Sequence, residues 1–270
     1  MMSELKSSRN MSFYEHFDEL RVRLLRAFAL FFLGFLVCYG FSEPILSFLR
    51  KPLFEVLPEA QRKLYFTSLF ENFLTHLKIS GYASVFLLSP YFFSEVWGFV
   101  APGLYPREKK LAIPFVVAAS VFFLGGAAFA YTVLFPVGFR YFVSYGASSD
   151  FPMLTIESYY GTCLKLLLLF GLAFELPVLI CFLGILGVVD AQVLREHRRN
   201  AILFITILSA LFAPPDAISM LILGVPLIFL YEASIFVVQW MGRGRVSSQG
   251  LQPGSTQQEE YDPFDGRSRT

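Results

Sequence analysis

The chain reads as an all-α polytopic membrane protein with six transmembrane helices, and three observations lead there. Of its 270 residues, 55% are hydrophobic and only 16% charged, with a mean hydropathy of +0.57. A soluble domain of this size carries about 25% charge. The apolar residues gather in runs, most of them near the ~20 residues that cross a bilayer. The short loops between the runs alternate between rich and poor in Lys and Arg, the pattern that sets membrane orientation.

The elements follow in order. Met1 to Asn10 is a polar lead, with Met2 and Met11 as alternative starts. Ser12-Phe13-Tyr14-Glu15 has the capping-box pattern. Phe13, Phe17, Leu20 and Leu24 then recur at helical spacing, with Asp18, Arg21 and Arg23 opposite. This predicts a short amphipathic surface helix leading into a first span over 24–41. That span has no small-residue cleavage pattern and reads as retained. Residues 42–72, broken by Pro44, Pro52 and Pro58, predict short helices lying over the outer mouth as a periplasmic cap. The second span covers 73–100, carries His76, Lys78 and Glu95, and should bend at Ser89-Pro90. The third covers 111–135, then an outer segment to 158, and the fourth covers 159–188. The fifth, 201–213, is short, and a turn at Pro214-Pro215-Asp216 returns the chain through the sixth, 217–240. The membrane domain thus spans 11–242, with short fifth and sixth spans, and 243–270 is a Gly-, Ser- and Gln-rich tail expected to be disordered in the cytoplasm.

Six spans put both termini on one side. Of the 22 Lys and Arg residues, fifteen fall in proposed inner segments, counting Arg26 at the inner edge of the first span, and five in outer ones; Lys78 and Lys165 lie within spans. Both termini are therefore expected inside. The loop 97–110 anchors this orientation: Pro102, Gly103 and Pro106 make the turn, and Arg107, Lys109 and Lys110 surround Glu108. Thirteen residues reach roughly 20 Å, against a hydrocarbon core of about 30 Å. The fifth run is thus either a short crossing with local thinning or half of a re-entrant hairpin, and the crossing is preferred.

Several classes drop out. A net charge of +1 gives no basic field for nucleic acid. There is no phosphate-binding Gly-rich loop. His16, His76 and His197 are scattered, and Cys38, Cys163 and Cys181 sit in apolar runs as small hydrophobes, so no metal, cofactor or disulfide is expected. The chain reads as a non-enzyme. Glu175, central in the fourth span beside Pro177, is costly to bury unless paired or wetted, and reads as an anchor for a partner helix or a path for water. Lys165 lies about 15 Å earlier on another face. Glu19 and Glu108 place two carboxylates at one membrane face, each able to accept a guanidinium.

These residues carry a family resemblance. The chain resembles the TatC subunit of the twin-arginine protein translocase over about 13–245. The matching pieces are His16-Phe17-Asp18-Glu19-Leu20-Arg21, Pro52-Leu53, and the string Val96 to Tyr105 with Glu108. They continue with Phe129-Ala130-Tyr131 and Phe135-Pro136, Phe174-Glu175-Leu176-Pro177, and Pro214-Pro215-Asp216. The resemblance implies a signal-peptide receptor and core subunit that exports folded proteins across the bacterial cytoplasmic (inner) membrane, driven by the proton motive force. It implies a signal-peptide site at Glu19, Arg21, Phe99 and Glu108, and partner docking at Glu175. Pro52, Pro214, Pro215 and Asp216 would be structural or partner turns. The implied partners are TatA- and TatB-type single-span proteins, Arg-Arg signal peptides and lipid, in a multi-copy complex without nucleic acid. Ala213 and Met220 stand where family members carry hydroxyl or amide groups, which favours packing over polar docking there. The competing readings are a small-solute secondary transporter using Glu175 and Lys165, for which no inverted repeat is seen, and a passive assembly scaffold.

Overall fold

The structure, a computed structural model, describes residues 13–103, 105, 108–145, 153–212 and 217–249, with side chains for all but 13–15, 60, 108, 145, 212, 218–219 and 240–249. Among these every regular element is helical; the one β-type pairing is a bridge between Tyr65 and Thr155. Four helical stretches are long and apolar enough to cross a bilayer: His16–Gly40, Lys109–Ser144, Ile156–Ile185 and Met220–Gln239. A bent pair supplies a fifth.

The expected surface helix and first span are a single helix, α1 (Phe13–Gly40). No proline interrupts it, and its 28 residues extend about 42 Å. Gly34 lets it approach the next span closely: a Cβ there would meet Ser84 Oγ and Leu88 at 2.7 Å. The Ser84 hydroxyl donates to the Phe31 carbonyl across this contact. Small residues at such crossings replace the hydrophobic drive that lipid removes.

The cap is α2 (Ser42–Val56), and here an expected break does not occur: Pro52 lies inside the helix. Proline has no N–H, so the Phe48 carbonyl four residues back loses its usual donor. The Tyr131 hydroxyl takes that place at 2.8 Å, its ring stacked on Phe48 with centroids 4.2 Å apart. Tyr159 and Tyr160 donate to the Leu49 and Leu46 carbonyls at 2.7 and 3.2 Å. Leu46, Leu49 and Leu53 bury the same helix face against the bundle.

The bend expected at Ser89-Pro90 is present. α3 (Glu71–Leu87) and α4 (Ser89–Val100) meet at 59° about Leu88. Pro90 frees the Phe86 carbonyl, and the Ser89 hydroxyl donates to it at 2.9 Å. α5 (Ala112–Phe129) does not stop at Phe135. It continues through a π-turn, Ala130–Leu134, into α6 (Phe135–Tyr145), so most of the expected outer segment is helix. Pro136 cannot donate to Thr132, and just ahead of it the chain slips one residue: the Phe135 N–H donates to Ala130, five residues back.

α7 (Ile156–Ile185) is the central helix. Thr155 caps its start, accepting from the Ser158 N–H. Its end is a Schellman turn: Val188 and Gly187 donate to the Leu183 and Gly184 carbonyls, and Gly187 has φ 73°. α7 packs closely on α5, where a Cβ on Gly126 would strike the Phe170 carbonyl and one on Gly171 would meet the Phe123 ring at 2.9 Å. The short α8 (Ala191–Glu196) precedes α9 (Arg198–Phe212), whose 15 residues reach about 22 Å. α10 (Ala217–Gln249) has 33 residues, so the sixth expected span is not short, and its backbone is helical past the expected tail boundary at Arg243. The Pro214-Pro215-Asp216 turn lies outside the described residues, as do 250–270. Cys38 and Cys163 are buried as expected; Cys181 is only half-buried.

Glu71 ties the cap end together. Only 3% exposed, its carboxylate accepts from the Thr67 N–H (2.6 Å) and hydroxyl (2.9 Å), the Ser68 N–H (3.3 Å) and the Glu157 N–H (2.8 Å). It thereby satisfies free donors at the starts of both α3 and α7. Tyr65 is held alongside, its N–H and carbonyl paired with Leu154 and Ile156. Glu71→Ala removes the acceptor of the Thr67, Ser68 and Glu157 N–H groups. It should lower the thermal midpoint in detergent, with Glu71→Gln losing less.

Candidate functional site

At the bundle end where α1 begins, charged residues converge from α1 and α4. Glu19 and Arg23 stand one turn apart on α1, and Tyr91 and Glu95 one turn apart on α4. The Arg23 Nη2 and Nε both donate to Glu19 Oε1, at 2.6 and 3.1 Å. Its Nη1 reaches across to Glu95 Oε2 at 3.0 Å. The Tyr91 hydroxyl donates to Glu95 Oε1 at 2.6 Å. The side chains are partly shielded, at 25% (Arg23), 22% (Glu19) and 14% (Glu95) exposure. One guanidinium thus sits between two carboxylates, and a second, that of Arg26, acts on Glu95 and Tyr91 through space. The second oxygen of Glu19, Oε2, is buried and accepts no hydrogen bond among the described residues.

The string Trp97-Gly98-Phe99 explains why α4 can present this cluster. Successive helical residues lie about 100° apart, so the three point three ways. Trp97 is buried against Phe115 and Phe182, with centroids 4.8 and 5.2 Å away, which seats α4 on α5 and α7. Gly98 faces α1, and a Cβ there would collide with the Arg23 guanidinium. Phe99 stacks on His16 of α1, with centroids 4.3 Å apart.

The site residues expected from the sequence fare differently. Glu19 and Phe99 are brought to one surface. Arg21 is exposed, two residues from Glu19 and turned from it. Glu108 lies in a short turn, Glu108–Leu111, and its side chain is outside the described residues. Glu19 is not a free acid, since Arg23 already holds one oxygen. Arg23, Tyr91, Glu95, Gly98 and His16 were not singled out by sequence. The available signal was the i,i+4 spacing of Glu19–Arg23 and Tyr91–Glu95.

Glu175 is 6% exposed on α7, and its Oε1 is buried without a hydrogen bond. Lys165 is exposed and is not brought to it. Beyond Pro177 lies an apolar groove of about 290 Å³, lined by Pro114, Phe115 and Phe122 of α5 and Pro177, Cys181 and Phe182 of α7. Among the described residues no group of His, Cys, Asp and Glu is placed to hold a metal ion.

Comparison with known proteins decides the family. The sequence profile of the Sec-independent protein translocase protein (TatC) matches residues 15–226. The chain belongs to the TatC family. It is 38% identical over 237 residues to the Sec-independent protein translocase protein TatC of Desulforapulum autotrophicum, covering 88% of this chain and 87% of that one. Over 225 residues it is 40% identical to the Campylobacter jejuni TatC, covering 83% and 92%. A crystal structure of the twin-arginine translocase receptor TatC superimposes with a TM-score of 0.75 at 29% identity, covering 84% of this chain and 99% of that one. A second, in DDM, gives 0.75 at 30% identity. TatC membership makes the chain a multi-pass membrane component of a protein translocase, not an enzyme.

If Arg23 bridges α1 and α4 as described, Arg23→Gln and Glu95→Gln should couple. A double-mutant cycle read by thermal unfolding in detergent should give an interaction of about 0.5–3 kcal/mol, whereas pairing Glu95→Gln with Arg21→Gln should give none.

Proposed function

We propose that this TatC-family chain receives Arg-Arg signal peptides on the α1–α4 surface and is the core subunit of a twin-arginine translocase exporting folded proteins. The observation that carries the proposal is Glu19: a shielded carboxylate with one oxygen held by Arg23 and the other without a hydrogen bond among the described residues. A peptide guanidinium is the ligand such an oxygen suits, because it delivers two parallel N–H donors and a compensating charge. Glu108, on the following loop, would take the second arginine of the pair. Arg21 would contribute from the exposed side of α1.

Magnitudes require more than charge. A charge-assisted hydrogen bond contributes about 1.5–3 kcal/mol, and micromolar binding needs about 8 kcal/mol. The His16–Phe99 stack and the exposed apolar face of α1 (Leu24, Leu25 and Phe28) offer the apolar part of a signal its own contact. Arg23 keeps Glu19 aimed before any signal arrives, so less ordering remains to be done on binding.

In this reading α9 crosses the membrane as a short span. The topology is six spans with both termini inside, and α2 forms a periplasmic cap in a bacterial cytoplasmic membrane. Membrane domain and cytoplasmic tail divide near 242. Residues 250–270 are the Gln-, Asp- and Glu-rich remainder of the tail. Glu175, in the closely packed α5–α7 region and next to the apolar groove, would dock single-span TatA- and TatB-type helices in a multi-copy complex. Pro52 and the Pro214-Pro215-Asp216 turn would hold the ends of their helices in shape for that assembly. The proton motive force would supply the energy, at about 2.3 kcal/mol per charge per 100 mV. A solute transporter built on Glu175 and Lys165 is disfavoured, because one is buried and the other faces outward.

Glu19→Ala and Glu108→Ala should each weaken binding of an Arg-Arg signal peptide to the purified complex at least tenfold; unchanged affinity in both would remove the receptor reading. Glu175→Gln should leave that affinity intact while lowering cross-linking to a single-span partner, and an unaltered cross-link yield would dismiss the docking role.

A further inference from the structure

At the opposite end of the bundle, about 30 Å from Glu19 along α1, a second charged feature plays no part in signal reception. A cleft of about 440 Å³ opens between α2, the loop after it and the start of α7. This lies within the range of ligand sites, about 300–1,000 Å³. Its charged lining is Arg50, Arg62, Lys63 and Glu43, a net charge of +2. Glu43 is engaged by Arg50 Nη2 at 3.3 Å and approached by His76 Nε2 at 3.8 Å. Arg62 is oriented by its Nε, which donates to the Leu57 carbonyl at 3.1 Å. Glu59 approaches Arg62 at 3.7 Å but is 89% exposed, so water screens it. Lys63 makes no ion pair among the described residues. A hollow of about 260 Å³ shares the Arg50, Phe54 and Arg62 walls and adds Lys51 and Glu55.

The remaining walls are Leu46, Phe54, Leu64, Ile156 and the Tyr65 and Tyr160 rings, with one uncharged polar side chain, Asn72. Directly beyond Tyr65 the chain presents Phe66, Leu69 and Phe70 at 63%, 88% and 70% exposure. Apolar side chains that exposed, between the cap and the start of the α3 span, belong in the interfacial zone of a bilayer. Four of the five basic residues on this side of the chain lie in 42–72. Placing them there runs against the orientation bias that keeps such residues on the inner side, so a ligand that neutralises them stabilises the arrangement.

We propose that this cleft binds the phosphodiester headgroup of an anionic phospholipid, with the acyl chains lying along Phe66, Leu69 and Phe70. Arg50 and Arg62 supply guanidinium forks for phosphate oxygens, and Lys63 supplies a point charge. Tyr65, at the cleft edge, sits at headgroup level. An anionic lipid matches the +2 lining; a zwitterionic one brings its own ammonium and leaves the cleft uncompensated.

The test is native mass spectrometry of the full-length protein, delipidated and titrated with phosphatidylglycerol or phosphatidylcholine. The wild type and the Arg140→Gln control should retain phosphatidylglycerol at least tenfold more tightly than Arg62→Gln/Lys63→Gln, with Lys63→Gln alone intermediate. Phosphatidylcholine should bind weakly and equally to all four. The proposal is overturned by equal phosphatidylglycerol retention in wild type and double variant, or by phosphatidylcholine binding as tightly as phosphatidylglycerol. Displacement of the lipid by equimolar glycerol 3-phosphate also overturns it, since the site would then serve a soluble phosphate. The receptor reading stands or falls separately, on Glu19.

Discussion

A backbone carbonyl needs a donor, from the protein alone inside a bilayer and from protein or water in the cap, and several features of this bundle follow from how that need is met. Prolines make the problem acute, because each removes a donor that a carbonyl one turn back was due. Two of these debts are met by hydroxyls from elsewhere in the sequence or next in line: Tyr131 serves Phe48 behind Pro52, and Ser89 serves Phe86 behind Pro90. Before Pro136 the chain instead shifts its register through a π-turn. The consequences are architectural. The first solution pins the cap to the span that carries Tyr131, the second sets the 59° bend that aims α4 across α1, and the third lets one helix run from the membrane into the cap region.

The two ends of the bundle contrast in how completely their polar groups are paired. At the cap end Glu71 uses both oxygens, three tyrosine hydroxyls close on α2 carbonyls, and Tyr65 pairs with the segment before α7. Such a network is stiff, since every member loses by moving. At the other end Glu19 keeps an oxygen unpaired beside a guanidinium that already serves two acids. Among the described residues the Glu175 Oε1, the Trp97 indole nitrogen and the Ser209 hydroxyl are likewise buried without a hydrogen bond. Unsatisfied groups are costly in a shielded site, and two of these, Glu19 and Glu175, are the acids proposed above for signal and partner. A rigid cap and a reactive opposite face suit a receptor that must hold its shape while its ligand end is remodelled.

Membrane class, an all-helical fold, the Ser89-Pro90 bend and the family were all legible in the sequence. They depend on composition, periodicity and local punctuation, which act within a few residues. Glu19 stood out as one of two carboxylates expected at one membrane face, whereas Phe99 entered the proposed site only through resemblance, because an aromatic ring near a membrane face has no local signature of binding. Pro52 misled: a proline reads as a break when its freed carbonyl is counted as lost, and the donor that rescues it lies 83 residues away. The run past Phe135 misled for a related reason, since a register slip costs less than ending a helix in lipid.

What the sequence by itself determined, then, is what each segment must do with respect to lipid and water, because transfer free energy and backbone propensity belong to individual residues and their near neighbours. Only the tertiary structure decided that Arg23 stands between Glu19 and Glu95, that Gly98 is the floor beneath it, and that Arg50, Arg62 and Lys63 line one cleft. Those relations join helices far apart in the chain. They are set by the crossing geometry of close-packed spans, which no local pattern encodes.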